Sequence, residues 1–208
     1  MNLILNASDV ASVIGKNPYC NQHDILAKML GHRPEVVKLS PELITHIEKN
    51  ITDTVKLLDG LKTPGASDIP CVKEVCGNTD VMSEVKKMIG TLNEPTVLKT
   101  YPAFEKTNRA RYLSGFNNFK ICGRFDGENS DSILEVKTRM NRFLGVPDRD
   151  MVQTHVYMKM ANKKKCVFTE NFQGESRETH ITFNDTLWDE IIVGLEEFDT
   201  LLGLGHAE

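Results

Sequence analysis

Three side chains near the middle of the chain have the types and the spacing to do hydrolytic chemistry. They are Asp126, Glu135 and Lys137, within Ile121–Arg139, ICGRFDGENSDSILEVKTR. An apolar run leads into Asp126, polar turn residues follow, and a second apolar run carries Glu135, Val136 and Lys137. Turn chemistry between two β-rich runs predicts a hairpin. Residues i and i+2 of a strand share a face, so Glu135 and Lys137 point the same way and Val136 points to the other side. With the hairpin paired, Asp126 ends the neighbouring strand close to both. Two carboxylates and a lysine at a sheet edge can hold a hard cation and polarise a water beside it. Gly123 and Gly127 flank Asp126, as suits a strand ending where another group approaches closely.

The chain contains an internal control. Glu84-Val85-Lys86 repeats the tripeptide, with Asp80 upstream, in TDVMSEVKKMIGTL. There Val81, Met82, Val85, Met88, Ile89 and Leu92 recur at helical spacing, which predicts a helix from Thr79 to Leu92. On a helix, i and i+2 lie about 200° apart, so that copy cannot converge as a triad. A bare E-x-K is equally what a solvated strand face with a cross-strand ion pair would carry. Downstream, DRDMVQTHVYMKMA predicts a helix capped by Asp148 or Asp150. Gln153 and Tyr157, four apart, share one of its faces.

Asp126 followed by Glu135-Val136-Lys137 resembles the PD-(D/E)XK nuclease superfamily, with Phe125 where that motif's proline stands. The Gln153-x-x-x-Tyr157 helix resembles the additional motif of its exonuclease-like branch. The segment SDVASVIGKNPY resembles the N-terminal segment of the YqaJ-like viral recombinases, relatives of the phage lambda exonuclease. Its matching residues are Ser8, Asp9, Ala11, Ile14, Gly15, Pro18 and Tyr19. The region from His32 to Gly77 matches nothing that can be named.

The resemblance implies an α/β fold, a restriction-endonuclease-like layered core with a mixed central sheet flanked by helices, plus N-terminal helices. One nuclease domain over 1–208 is expected, with 1–77 a helical elaboration and 78–208 the catalytic core. By the same resemblance, Asp126, Glu135 and the Val136 carbonyl bind Mg²⁺ or Mn²⁺. Related nucleases add a helical glutamate, for which Glu84 is the positional candidate and Glu105 the runner-up. Lys137 would polarise the attacking water, and Gln153 would orient Glu135 or water, or touch DNA. Arg139, Arg142, Arg124, Lys16 and Tyr157 would contact DNA. The implied activity is a lambda-type 5′→3′ exonuclease on duplex DNA ends in viral or phage recombination. Its alternatives are a structure-selective or restriction-like endonuclease, an RNA-cleaving relative, or a non-catalytic DNA-binding relative. A single-strand annealing protein as partner and a ring-type homotrimer are further implications.

Composition suggests an intracellular protein, which with the resemblance implies the cytoplasm or nucleus of a host cell. The 208 residues can bury a core, and no apolar run is long enough to span a bilayer. The start, MNLILNASD, does not read as a signal peptide. Five cysteines without C-x-x-C spacing read as reduced thiols, and the six histidines are scattered. No G-x-x-x-x-G-K-[ST] loop is present. The net charge is −4, but its distribution is uneven. Tyr101–Lys165 carries 13 basic against 7 acidic residues, while the rest carries 12 against 22. A basic excess around the proposed site suits a phosphate-tracking surface; a solvated face would look the same.

The remaining pattern supplies the scaffold. A short helix carries Val10, Val13 and Ile14, a second runs roughly from Asn21 to Leu30, and Ser40-Pro41-Glu42 opens a third with Leu43, Ile44, Ile47, Ile51, Val55 and Leu58. Gly60–Pro70 reads as a linker. Strands are expected at Lys165–Phe172 and Thr179–Phe183 around a Gln173-Gly174 turn. A final helix, Asp185–Leu202, has an apolar stripe broad enough for a sheet face or an oligomer interface.

Overall fold

The computed structural model describes residues 3–31, 38–49 and 79–205. The Gly60–Pro70 linker, and Ile51, Val55 and Leu58, lie outside the described residues.

Two sheets meet near the middle of the chain. The first joins β1 (Leu3–Asn6), β4 (Phe119–Gly123) and β3 (Arg111–Leu113) in the order β1-β4-β3. The second has the order β2-β5-β6-β7-β8, formed by β2 (Glu105–Lys106), β5 (Gly127–Glu128), β6 (Ser132–Thr138), β7 (Lys165–Phe172) and β8 (Glu175–Thr182). It is mixed: β6 and β7 run parallel, and its other pairs are antiparallel. Helix α5 (Asp148–Ala161) makes the crossover that a parallel pair requires. The β7–β8 connection is two residues, Gln173 and Gly174, both at positive φ (52° and 85°). That is the hairpin turn whose twist matches the strands it joins.

The N-terminal segment departs from expectation. It contributes a strand as well as helices, because β1 pairs parallel with β4 from Leu3↔Phe119 to Asn6↔Cys122. Leu5, Ala7, Val10, Ala11 and Val13 are buried in the main core. The helices α1 (Val10–Val13) and α2 (Gln22–Met29) follow. Helix α3 (Pro41–Lys49) packs Leu43 and Ile47 against Val81, Val85 and Ile89 of α4 (Thr79–Leu98), forming a second apolar cluster.

Helix α6 (Asp185–Gly205) spends its apolar stripe inside the chain: Trp188, Ile191, Leu195, Phe198 and Leu202 are all buried in the main core. The Asp199 carboxylate accepts the backbone N–H groups of Asn117 and Asn118, each at 2.8 Å, tying α6 to the start of β4. His155 is buried and joins the other end. Its Nε2 accepts the Asn184 N–H at 3.1 Å, and its Nδ1 lies 2.8 Å from the Met151 carbonyl. Among the described residues, no helix is long and apolar enough to cross a membrane.

Candidate active site

The chain leaves one sheet at Gly123 and enters the other at Gly127, with Phe125 fully buried between them. Asp126 therefore stands in the junction of the two sheets rather than at the end of a continuous strand. Its backbone is already in the second sheet. The Asp126 N–H donates to the Leu134 carbonyl at 3.1 Å, and its carbonyl accepts the Thr107 N–H at 3.0 Å. The side chain then reaches along β6, where Oδ2 accepts the Val136 N–H at 2.6 Å. In a strand the N–H and C=O of one residue face the same neighbour. The Val136 carbonyl is thus directed to the edge that Asp126 occupies.

Glu135 and Lys137 share the other face of β6, as their spacing predicts. Lys137 Nζ lies 2.7 Å from Glu135 Oε1 and donates to Gln153 Oε1 at 2.8 Å. Gln153 Nε2 in turn donates to the Tyr157 hydroxyl at 2.8 Å. Residues four apart on α5 thus extend the site inward. Gly123 makes room for this arrangement: a Cβ there would stand 2.5 Å from Tyr157 Cε1 and 2.8 Å from the Ala7 Cβ.

Electrostatics mark these groups. Burial pushes the Asp126 carboxyl up to about 8; the charge of Glu135 adds to this, the Val136 N–H opposes it, and Glu94 adds again. Glu135 is also raised, first by burial, against the pull of Lys137. For Lys137 burial acts downward, but Glu135 and Asp150 outweigh it and the net direction is up. Lys137 is therefore a fixed cation at neutral pH. Burial holds the Tyr157 phenol and the Cys166 thiol well above their usual ranges, so both stay protonated.

Glu94 is the residue that sequence reasoning missed. Its carboxylate is close enough to raise both Asp126 and Glu135, and Lys106 Nζ lies 3.8 Å from it. The expected helix stopped at Leu92, before Pro95. In the structure α4 continues through Pro95 to Leu98, and this last turn carries Glu94 to the site. Helix α4 packs against β6. Glu84 lies ten residues, about 15 Å, back along the helix. It pairs with Lys87 at 2.5 Å, so the positional assignment to Glu84 is corrected. Glu105, the runner-up, is exposed in β2.

Among the proposed DNA contacts, Arg124 and Arg142 are exposed, and Lys16 is held at 2.8 Å by Glu190. Two others are corrected. Arg139 is buried, with Nε 2.5 Å from Glu170 Oε1 and one terminal nitrogen 2.8 Å from Asp150 Oδ2. A guanidinium satisfied by two buried carboxylates is a structural tie and is withdrawn from any phosphate. Asp150 is thereby an ion-pair partner, and neither it nor Asp148 caps α5 with its side chain. Tyr157 is buried too, with its hydroxyl turned to Gln153.

The donor set suits a hard divalent cation. Glu135 Oε2 is buried with no hydrogen-bond partner, an arrangement that is costly unless a ligand satisfies it. No group of three or more His, Cys, Asp or Glu side chains among the described residues is placed to cage a metal unaided. Two carboxylates and a backbone carbonyl are instead the partial set typical of Mg²⁺, which keeps waters and takes substrate phosphate oxygens as further ligands.

The fold has solved counterparts. The alkaline exonuclease LHK-Exo from Laribacter hongkongensis superposes with a TM-score of 0.55 at 15% identity, covering 97% of this chain and 88% of that one. Its complex with dAMP superposes with the same TM-score at 16% identity and the same coverage. The chain shares the fold of that exonuclease. The expected α/β architecture with a mixed sheet is therefore the one found. No protein-family model and no curated protein matches the sequence.

Proposed function

We propose that the protein is a divalent-metal-dependent deoxyribonuclease of the phage exonuclease kind, degrading duplex DNA from its ends in the 5′→3′ direction during viral or phage recombination. The observation that carries this reading is the unpartnered, buried Glu135 Oε2, on a carboxylate whose other oxygen pairs with the charged Lys137. The fold shared with an alkaline exonuclease supports the substrate class.

In this reading Asp126, Glu135 and the Val136 carbonyl hold Mg²⁺ or Mn²⁺, and Glu94, whose charge acts on both carboxylates, supports the site from α4. The bound ion supplies an acidified water and offsets charge on the scissile phosphate. Lys137 remains protonated, so it acts as a hydrogen-bond donor to water or phosphate and not as a base. Gln153 fixes the Lys137 ammonium, and Tyr157 fixes the Gln153 amide. Arg124, Arg142 and Lys16 supply phosphate contacts at the rim. A ring-shaped homo-oligomer and a single-strand annealing partner accompany this reading.

The test is linear and covalently closed duplex DNA incubated with the protein and Mg²⁺ or Mn²⁺, beside Glu135→Gln and Lys137→Ala. Progressive loss of linear DNA alone, reduced at least about 100-fold by either substitution, is expected. Cutting of the closed circle would replace the exonuclease with an endonuclease. No cleavage of either DNA with either metal would end the catalytic reading.

A further inference from the structure

A cavity of about 360 Å³ opens beyond the C-terminal ends of β6 and β7, lined by Arg142, Phe143, Phe172, Gln173, Glu175 and Arg177. We propose that it is a stacking site for an unpaired nucleobase of a DNA strand, with Arg142 and Arg177 reaching the flanking phosphates. The inference rests on the nucleic-acid reading of the neighbouring active site and adds a second point of grip.

The register places this cavity relative to the candidate catalytic residues. Lys137, Glu170 and Arg177 form one cross-strand row on β6, β7 and β8. They share a sheet face, and two strand spacings put Arg177 about 10 Å from Lys137. That matches about three nucleotides at the 3.4 Å rise of a stacked strand. Phe172 lies two residues past Glu170 on β7, on that same face.

The chemistry suits a planar base with anionic phosphates on either side. Phe143 and Phe172 meet edge to face, with ring centroids 5.7 Å apart. The Arg177 guanidinium lies 4.1 Å above the Phe143 ring. A base stacks on aromatic rings and on guanidinium planes alike. Neither arginine has an ion-pair partner among the described residues. The carboxylate opposite Arg177 is Glu170, which is already occupied by Arg139, Leu144 N–H and Gly145 N–H. Two exposed guanidiniums stand against Glu175 alone, and the surplus favours a phosphate backbone.

The site is also held in shape before any ligand arrives. The bonds from Leu144 and Gly145 to Glu170 pin the loop that carries Arg142 and Phe143 onto β7. An ordered platform spares a ligand the cost of arranging it.

The experiment uses the full chain in EDTA, so that cleavage plays no part. Single-stranded oligonucleotides carry 2-aminopurine, whose fluorescence is quenched by stacking, at each of the first six positions from one end. Wild-type protein should quench one position selectively. Phe143→Leu and Arg177→Gln should abolish that quenching and weaken binding about 5- to 150-fold, the effect of losing a base stack. Thermal melting of each variant verifies its fold, and Phe172→Leu is the second variant should one fail to fold. Weakening by Arg177→Gln with the quenching intact in Phe143→Leu and Phe172→Leu would overturn stacking and leave only charge. Equal binding by all variants would overturn the site. Because binding is read without metal, a stacking signal in a protein that cleaves nothing would separate this inference from the nuclease reading.

Discussion

The Val136 N–H points at Asp126 Oδ2 from 2.6 Å, joining the junction between the two sheets to the strand that carries Glu135 and Lys137. This one bond aligns two carboxylates that are nine residues apart in sequence. It also leaves the Val136 carbonyl directed to the same edge. The bond favours the charged form of Asp126 but does not offset burial, so the carboxyl titrates near 8.

That value gives a pH dependence with a definite sign. The folded-state pKa is about 8 against an ordinary 3.8, so between these values the folded protein holds a proton that the unfolded chain releases. This contribution to stability is full below about pH 4 and is lost as pH rises towards 8. Urea unfolding of metal-free protein should show a declining stability over that window, flattened in Asp126→Asn. Divalent metal competes with the proton, so its affinity should rise across the same range. An identical pH profile in the wild type and Asp126→Asn would refute the assignment.

Glu94 and Glu84 lie on one helix, and only Glu94 faces the carboxylates. Glu94→Gln should lower turnover about 10- to 100-fold, the usual effect of removing a group that supports a metal site. Glu84→Gln should leave turnover unchanged. Steady-state cleavage of linear DNA compares the two; the reverse ranking would restore Glu84.

Gly123→Ala tests the packing behind Lys137. The added methyl must displace the Tyr157 ring or the Ala7 side chain. A cost of about 1–3 kcal/mol is expected from overpacking, read from denaturant midpoints. Turnover should fall as well, because Tyr157 steadies Gln153 and Gln153 steadies Lys137. Unchanged stability and turnover together would mean that the tyrosine does not hold the amide.

Arg139 and Arg142 separate structure from binding. Arg139→Ala leaves Glu170 and Asp150 as buried carboxylates without their cation and should cost about 3–5 kcal/mol in unfolding free energy. Arg142→Ala, at an exposed position, should change stability by no more than about 0.5 kcal/mol while weakening DNA binding. Fluorescence anisotropy with labelled DNA reads the second effect.

Periodicity alone determined which side chains point together. The period of a strand puts Glu135 and Lys137 on one face, and the period of a helix puts Gln153 beneath Tyr157. The same reasoning separates the helical Glu84-Val85-Lys86 copy from the β6 copy, and Gln173-Gly174 marks a two-residue turn. These are local matters, settled by backbone geometry over a few residues. Which charges meet is not local. Glu94 reached the site because α4 continues past Pro95 while packed against β6, and isolated propensity predicts a break there. Arg139 looked like a phosphate ligand until the fold brought Glu170 and Asp150, from β7 and α5, around its guanidinium. The N-terminal strand was illegible because its partner, β4, lies more than a hundred residues away. Tertiary structure decided these points because burial and Coulomb energy depend on distance in space, which a one-dimensional pattern does not contain.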